Sequence, residues 1–190
     1  NIGFEMAIVD KAKKNNPDLK IFKNNENIKL IHGSHAGLAS SHLGHNHHSH
    51  EIDPHIWTSA VNAKIIAQNM CNALCDIDPK NKSYFQNNLN TLINEINVLH
   101  NELSAQLKSA EGEAFIVWHP SLSYFARDYN LRQISIEFEG KEIPAKYLKE
   151  EIDTAKAHNA RVFFFQKEFD SRQAESVSKE IGTKLVTINP

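Results

Sequence analysis

The C-terminal half of the sequence alternates short apolar runs with helical stretches, and this alternation constrains the fold more than any other feature. The helical stretches lie at about 121–129, 144–158 and 171–181, and Gly182 ends the last of them. Strands that are each separated by a helix predict a parallel sheet with helices on its faces. The apolar runs predicted to be strands are Ala114–Trp118, Gln133–Ile136, Arg161–Phe165 and Lys184–Ile188.

The carboxyl ends of these strands are the expected place for a ligand, because ligands of open α/β sheets bind there. The polar residues that follow the strands are His119, Glu137–Glu142, Gln166–Glu168 and Asn189. We expect the acidic group Glu137, Glu139 and Glu142 to be a solvated loop, with a general base as the alternative.

The N-terminal half contains a predicted helix over 4–14 and two short apolar runs, Leu19–Phe22 and Ile28–Ile31, which we predict to be strands. A further helix begins at about Ser59, a good N-cap residue. A long helix over 79–109 follows and would measure about 45 Å. We interpret it as a spine along a globular body, with a coiled-coil strand as the alternative. Its apolar stripe is Phe85, Leu89, Leu92, Ile96, Leu99, Leu103 and Leu107.

Composition argues against two classes of function. The formal net charge is -2, and no basic stripe is present that would bind nucleic acid. No run of about 18 apolar residues exists, so we expect no membrane-spanning segment. The chain opens without methionine and ends straight after a predicted strand. We therefore expect a fragment or a processed form, which leaves a removed signal sequence open.

Cys71 and Cys75, the two cysteines of the sequence, are four positions apart on one face of a predicted helix. We interpret them as small half-buried thiols. A local disulfide and a metal role are the alternatives, although two thiolates alone do not complete a zinc site. The cysteines therefore do not settle the compartment.

Eleven histidines make this residue the outlier of the composition. Seven of them lie in a polar segment, 32–51, that we expect to be mobile because it has too few apolar residues to pack. Neutral imidazole suits zinc, copper and nickel, so we predict metal capture, with a solvated loop as the alternative. The seven are His32, His35, His42, His45, His47, His48 and His50.

Two other histidines lie outside that polar segment. His55 lies just after its end, and His119 directly follows the predicted strand Ala114–Trp118. They are 64 positions apart, so their spacing predicts no chelating site, and each alone is more often structural. His100 and His158 lie on helical segments and receive no role. A Ser-centred nucleophile elbow, a glycine-rich phosphate loop and His-Glu-x-x-His are all missing from the sequence. We therefore expect a protein that is not an enzyme.

Several motifs become specific when they are taken together. Asp53-Pro54-His55-Ile56-Trp57 directly follows the histidine-rich segment. The others are Trp118-His119-Pro120, Tyr124-Phe125-Ala126-Arg127-Asp128-Tyr129, Glu139-Gly140-Lys141-Glu142, Phe163-Phe164-Phe165-Gln166 and Lys184-Leu185-Val186-Thr187-Ile188-Asn189-Pro190. In this order, along almost the whole chain, they resemble the ZnuA-like zinc-specific solute-binding proteins of bacterial ABC transporters, a group within the TroA-like metal-binding family.

The resemblance implies an α/β fold of two Rossmann-like lobes with parallel sheets, joined by a long spine helix, with metal held between the lobes. Residues 1–78 would then be part of the N-terminal lobe, including the mobile histidine-rich loop 32–51. Residues 79–109 would be the linking helix, and 112–190 an incomplete C-terminal lobe. We thus expect truncation at both ends.

The resemblance also implies that His55 and His119 are direct zinc ligands, and Gly140-Lys141-Glu142 favours zinc over manganese. Each imidazole normally needs an acceptor on its other nitrogen, for which Glu139 or a backbone carbonyl is a candidate. The sequence departs from the family twice. It has no counterpart of the family's first histidine ligand, and Asn189, a poor zinc ligand, stands where the family often has an aspartate.

The function that the resemblance implies is capture of Zn²⁺ outside the cytoplasm, in the periplasm, and its delivery to the membrane permease of an ABC transporter. The expected partners are this permease and the zinc ion, with no nucleic acid, and the chain is expected to be a monomer. The alternatives are a receptor for manganese or another divalent ion, an adhesin-like surface-binding protein, and a metal-dependent hydrolase that uses Glu139 or Glu142.

Overall fold

The computed structural model describes residues 5–32, 52–138, 141–142, 145–166 and 171–189. Its strands are β1 (Ala114–Val117), β2 (Arg132–Ser135), β3 (Glu137–Phe138), β4 (Lys141–Glu142), β5 (Val162–Gln166) and β6 (Lys184–Ile188). Four of them form a parallel sheet in the order β2-β1-β5-β6 at the centre of the C-terminal half, and β3 and β4, which lie between β2 and β5 in sequence, form a separate antiparallel pair. The predicted parallel sheet is confirmed.

Six α-helices accompany these strands in the described part of the chain. They are α1 (Met6–Asn15), α2 (Ala60–Ile77), α3 (Lys82–Leu107), α4 (Ser123–Asp128), α5 (Ala145–Ala157) and α6 (Ser171–Ile181). Short 3₁₀ turns at Ile56–Thr58, Pro79–Asn81 and Lys108–Ala110 join them to their neighbours. Among the described residues, no helix is both long and apolar enough to cross a membrane.

The sheet buries both of its faces, because successive side chains of a strand point to opposite sides. From β1, Ala114 and Ile116 belong to the largest buried cluster, together with residues of α5 and α6. Phe115 and Val117 face the other way and pack with Ala126 of α4. The helices therefore cover the sheet from two sides, which gives the α/β layers that the alternating pattern predicts.

The long helix is present, and α3 packs against α2. Its 26 residues correspond to about 39 Å, and the flanking 3₁₀ turns extend the helical region from Pro79 to Ala110. Leu92 and Leu99 of the predicted stripe are exposed. That α3 links two lobes, and the division of the chain at 78 and 112, stay predictions.

The predicted strands at Leu19–Phe22 and Ile28–Ile31 are wrong, since the structure has no strand at either place. A strand needs a partner, and the backbone of Ile31 uses its hydrogen bonds elsewhere. Its N–H donates to the Tyr124 hydroxyl (3.1 Å), and its carbonyl accepts from the N–H of Asp53 (2.9 Å). The apolar side chains of this stretch, among them the buried Ile28, pack around Tyr124 instead.

Two further interpretations can be compared with the structure. Glu137 and Glu142 belong to paired strands rather than to a loop, so the loop interpretation is wrong for the backbone of these two residues. Glu139 lies outside the described residues. Cys71 and Cys75 are free thiols, with Cys71 buried, and burial together with the neighbouring Cys75 raises the pKa of the Cys71 thiol.

Candidate metal centre

His119 lies at the point where the order of the sheet reverses. From β1 the chain moves outward to β2, and then crosses back to β5 on the other side of β1. Connections that leave neighbouring strands in opposite directions open a crevice at their carboxyl ends, the usual ligand site of such sheets. His119 comes two residues after β1, and its carbonyl accepts from the N–H of Ser121 (2.7 Å). The topology therefore places His119 at the mouth of this crevice.

His55 is oriented by Asp53, two residues before it. The carboxylate oxygen Oδ1 of Asp53 accepts from the main-chain N–H of His55 (2.9 Å) and lies 2.8 Å from Nδ1 of its ring. An aspartate that bonds the backbone two residues on is a common turn-forming element. Because Nδ1 is engaged by the carboxylate, that contact assigns the ring proton to Nδ1 and leaves the lone pair on Nε2.

Asp53 is fully buried, so its charge must be compensated locally. Burial by itself raises the pKa of this carboxyl. Hydrogen bonds from the ring and main chain of His55 and from Ser123, together with the electrostatic attraction of the His55 ring, outweigh that effect and leave the pKa of Asp53 below its ordinary value. Oδ2 has no hydrogen-bond partner within the described residues, so the His55 contacts all fall on Oδ1. Asp53 thus stands beside His55 as a carboxylate.

The structure brings His55 and His119 together from 64 positions apart. Their Nε2 atoms are 3.3 Å apart, and their ring centroids are 5.1 Å apart with planes at 75°. Two imidazole nitrogens at about 2.0–2.1 Å from one tetrahedral zinc ion would be about 3.3–3.4 Å from each other. The pair therefore has the separation that two ligands of one zinc ion require. In the absence of metal, the same distance permits a hydrogen bond from His119 to the Nε2 lone pair of His55.

Of the remaining predicted site residues, Asn189 is the one that the described ranges include, and it does not join this pair. Asn189 is exposed directly after the edge strand β6, two strands from β1 and hence about 10 Å away along the sheet. Glu139 and the loop histidines His42, His45, His47, His48 and His50 lie outside the described residues. Within the described ranges, no group of three or more His, Cys, Asp or Glu side chains is arranged to hold a metal.

Three residues near the pair were not predicted as part of the site. The acceptor on Nδ1 of His55 is Asp53, a residue that the sequence analysis does not name beside Glu139 or a backbone carbonyl; the Asp-x-His spacing is the sequence signal that points to it. Trp57 packs edge-on against the His55 ring, with the two ring centroids 5.4 Å apart. Tyr124 donates a hydrogen bond to the carbonyl of Asp53 (2.8 Å), a contact 71 positions apart that no local pattern indicates.

The histidines without an assigned role contact other groups. Nδ1 of His100 lies 3.1 Å from the hydroxyl of Tyr129. Nε2 of His158 lies 3.0 Å from the Arg132 guanidinium, and the His158 carbonyl accepts from Ala114 at the opposite end of β1 from His119. Both therefore serve packing and hydrogen bonding away from the pair.

Comparison with known proteins places this arrangement in context. The family described as zinc-uptake complex component A, periplasmic, matches residues 1–190. The high-affinity zinc uptake system protein ZnuA of Bacillus subtilis (strain 168) is 32% identical over 143 residues, covering 74% of this chain and 45% of that protein. The chain spans about half or less of the length of the curated relatives it matches.

Solved structures agree with the fold. A crystal structure of ZnuA has a TM-score of 0.84 at 34% identity and covers 100% of this chain and 69% of that one. A ZnuA deletion mutant with zinc bound gives a TM-score of 0.83, also at 34% identity, over 100% and 68%. The laminin-binding protein Lbp of Streptococcus pyogenes is 29% identical, with a TM-score of 0.67 over 73% and 54%.

FpvC of Pseudomonas aeruginosa, solved in complex with Mn²⁺, has a TM-score of 0.75 over 99% of this chain and 66% of that one. At 21% identity, this likeness shows the fold alone. The family match, in contrast, extends over every residue of the sequence. On that match, the chain belongs to the ZnuA family of periplasmic zinc-uptake components.

Proposed function

We propose that this chain is the zinc-capturing part of an extracytoplasmic solute-binding protein that delivers zinc to the membrane permease of an ABC transporter. The observation that carries the proposal is the 3.3 Å separation of the Nε2 atoms of His55 and His119 at the switch point of the sheet. Both histidines are the proposed zinc ligands. Relatives of the chain are zinc-uptake and zinc-binding proteins, which supports zinc as the bound ion.

The electrostatics of the pair support zinc as the cargo. Zinc binds imidazole in its neutral form. The contact with Asp53 holds the ring proton of His55 on Nδ1, so Nε2 has a lone pair available for zinc. A zinc ion on Nε2 draws electrons from the ring and makes the Nδ1 proton a stronger donor to the Asp53 carboxylate. The buried carboxylate therefore stabilises the loaded site more than the empty one.

Two imidazoles do not complete a zinc site, which takes about four ligands. The further ligands are water or groups outside the described residues. A zinc site whose ligands come from two lobes suits a carrier, because the zinc ion can be released when the lobes separate. The histidine-rich segment 32–51 has a secondary role in this proposal, as a zinc-recruiting or zinc-buffering element.

Zinc affinity of single-histidine variants tests the proposal. In the full-length protein, His55→Ala and His119→Ala should each weaken zinc binding at least about 100-fold, beyond what loss of a supporting group causes. The measurement is competition with a chromophoric zinc chelator. His158→Ala is the matched control, because this histidine contacts Arg132 at the far end of β1 and should bind zinc like the wild type. Wild-type affinity in both site variants would rule the assignment out.

Manganese is the second candidate cargo, and a relative of the same fold was solved with Mn²⁺. Imidazole ligands favour zinc over manganese, which prefers carboxylate and water oxygens. Competition titration of the zinc-loaded protein with Mn²⁺ should therefore leave zinc bound at equimolar metal. Displacement by Mn²⁺ would make manganese the cargo. Chelator-resistant binding to laminin would instead favour the surface-binding role named for the streptococcal neighbour.

A further inference from the structure

The short helix α4 carries three side chains that face the N-terminal half of the chain. Tyr124, Arg127 and Asp128 are at positions i, i+3 and i+4, which lie on one side of a helix. α4 begins four residues after His119, on the same connection from β1 to β2. A chain segment that these three side chains contact therefore has a fixed position relative to His119.

Tyr124 holds the two chain segments that lead to His55. Its side chain is fully buried. The hydroxyl accepts from the N–H of Ile31 (3.1 Å) and donates to the carbonyl of Asp53 (2.8 Å). These roles are fixed, because a main-chain N–H can only donate and a carbonyl can only accept. One hydroxyl thus bridges residue 31 and the residue whose carboxylate orients His55.

The other two side chains hold the far end of the same segment. The Asp128 carboxylate accepts a hydrogen bond from the Ser59 hydroxyl, and the same hydroxyl caps α2 by accepting from the N–H of Asn62. Arg127 donates to the Asn62 side chain (3.2 Å). Asn62 in turn donates to the carbonyl of Ile56 (3.0 Å), next to His55.

We propose that the Tyr124 hydroxyl is a positioning group of the metal site, which sets the distance between His55 and His119 by holding the main chain of Asp53. Segment 53–59 is held through Tyr124 at its start and through Asp128 and Asn62 at its end. The separation of the two Nε2 atoms thus depends on α4 rather than on the local turn alone. This inference rests on the proposed function, because it treats the two histidines as a binding pair.

The test removes the hydroxyl and keeps the ring. Tyr124→Phe in the full-length protein should weaken zinc binding about tenfold, at the low end of what loss of a supporting group of a metal ligand causes. Tyr129→Phe is the matched control. It is a second buried phenol in the same region, but its hydroxyl contacts His100 rather than the segment of His55. Its zinc affinity should equal that of the wild type, whatever its melting temperature.

Zinc affinity, from chelator competition, and the melting temperature of the metal-free protein are measured for both variants. The absorption spectrum of the Co²⁺-substituted site adds a readout of ligand geometry, and only Tyr124→Phe should alter it. Unchanged affinity and an unchanged Co²⁺ spectrum in Tyr124→Phe would overturn the inference, while His55→Ala still decides the proposed function separately. Should Tyr124→Phe fail to fold, Asn62→Ala tests the other part of the inference, that α4 holds segment 53–59 at its far end: about tenfold weaker zinc binding supports this dependence on α4, and wild-type affinity refutes it.

Discussion

The contact between Asp53 and His55 is the smallest unit of the candidate site that has a chemical consequence. A fully buried carboxylate is costly unless hydrogen bonds and a nearby positive charge compensate it. Here the ring and the main chain of His55 both contact Oδ1. The carboxylate selects the ring nitrogen that carries the proton, and so determines which nitrogen faces His119. An aspartate that looks like a turn residue in the sequence therefore has a second role.

Replacing Asp53 with asparagine tests that role. Asp53→Asn keeps the shape and an acceptor oxygen but removes the charge, so zinc binding should weaken about 10-fold to 100-fold, as for other groups that support metal-bound histidines. Chelator competition measures the change, with Asp10→Asn, on an exposed position of α1, as the control. Equal zinc affinities of Asp53→Asn and the wild type would contradict the role.

At the scale of secondary-structure elements, the ends of the helices follow local chemistry. α6 ends at Gly182, which has a φ of +83°. The N–H groups of Gly182 and Thr183 both donate to the carbonyl of Ser178 at 2.9 Å, which satisfies the last turn of the helix. Residues other than glycine that adopt positive φ elsewhere in the described chain are asparagines, at 27, 130 and 159. β6 begins two residues later, so this turn aims α6 onto the edge of the sheet.

Substitutions at Gly182 should follow the backbone preference alone, since a Cβ there would meet nothing within 4 Å. Gly182→Ala should lower the free energy of unfolding by about 1 kcal/mol, because an L-residue in the left-handed region costs about 1–2 kcal/mol. Gly182→Asn should cost less, because asparagine tolerates this conformation. Chemical denaturation monitored by circular dichroism compares the two. If Gly182→Asn lowered the free energy of unfolding more than Gly182→Ala, a factor other than the backbone conformation would dominate.

At the scale of the whole molecule, the two ends of the histidine-rich segment are joined to each other by backbone contacts, which we call the base of the segment. His32 and Ile52 form an isolated antiparallel bridge, and the N–H of Asp53 donates to the carbonyl of Ile31. The two ends of the segment are therefore neighbours, although 33–51 themselves lie outside the described residues. This base is adjacent in sequence to Asp53 and His55, yet it is held by its own backbone bonds and by Tyr124.

Removing the segment should separate its role from that of the pair. Replacing 33–51 with Asn-Gly, which suits a two-residue hairpin turn, should lower the number of zinc ions bound at excess zinc and leave the tightest zinc affinity unchanged. Isothermal titration calorimetry gives both values. Changing the six histidines within 33–51 to serine, at unchanged length, is the control for loop length. Loss of the tightest site in both variants would move the primary site into the segment.

Local sequence was sufficient for the elements whose signal is periodic. The predicted bounds of the strands β1, β2, β5 and β6, of the helices between them and of the long α3 differ from the observed ones by three residues at most, because alternating and helical apolar patterns are properties of a single segment. The same reasoning gave two strands at Leu19–Phe22 and Ile28–Ile31 that do not exist. A short apolar run does not show whether a partner strand is available, nor even that the segment is buried, since Leu19, Ile21 and Phe22 are exposed.

The sequence by itself determined the α/β class, the parallel sheet and the identity of His55 and His119 as candidates, the last through motifs shared with a family. Only the tertiary structure decided that these histidines meet, because their 64-residue separation is closed by the sheet and by α4. It also decided that Asp53 is their supporting carboxylate and that Tyr124 holds it in place. Contacts between distant residues depend on the packing of whole elements, which no local pattern encodes.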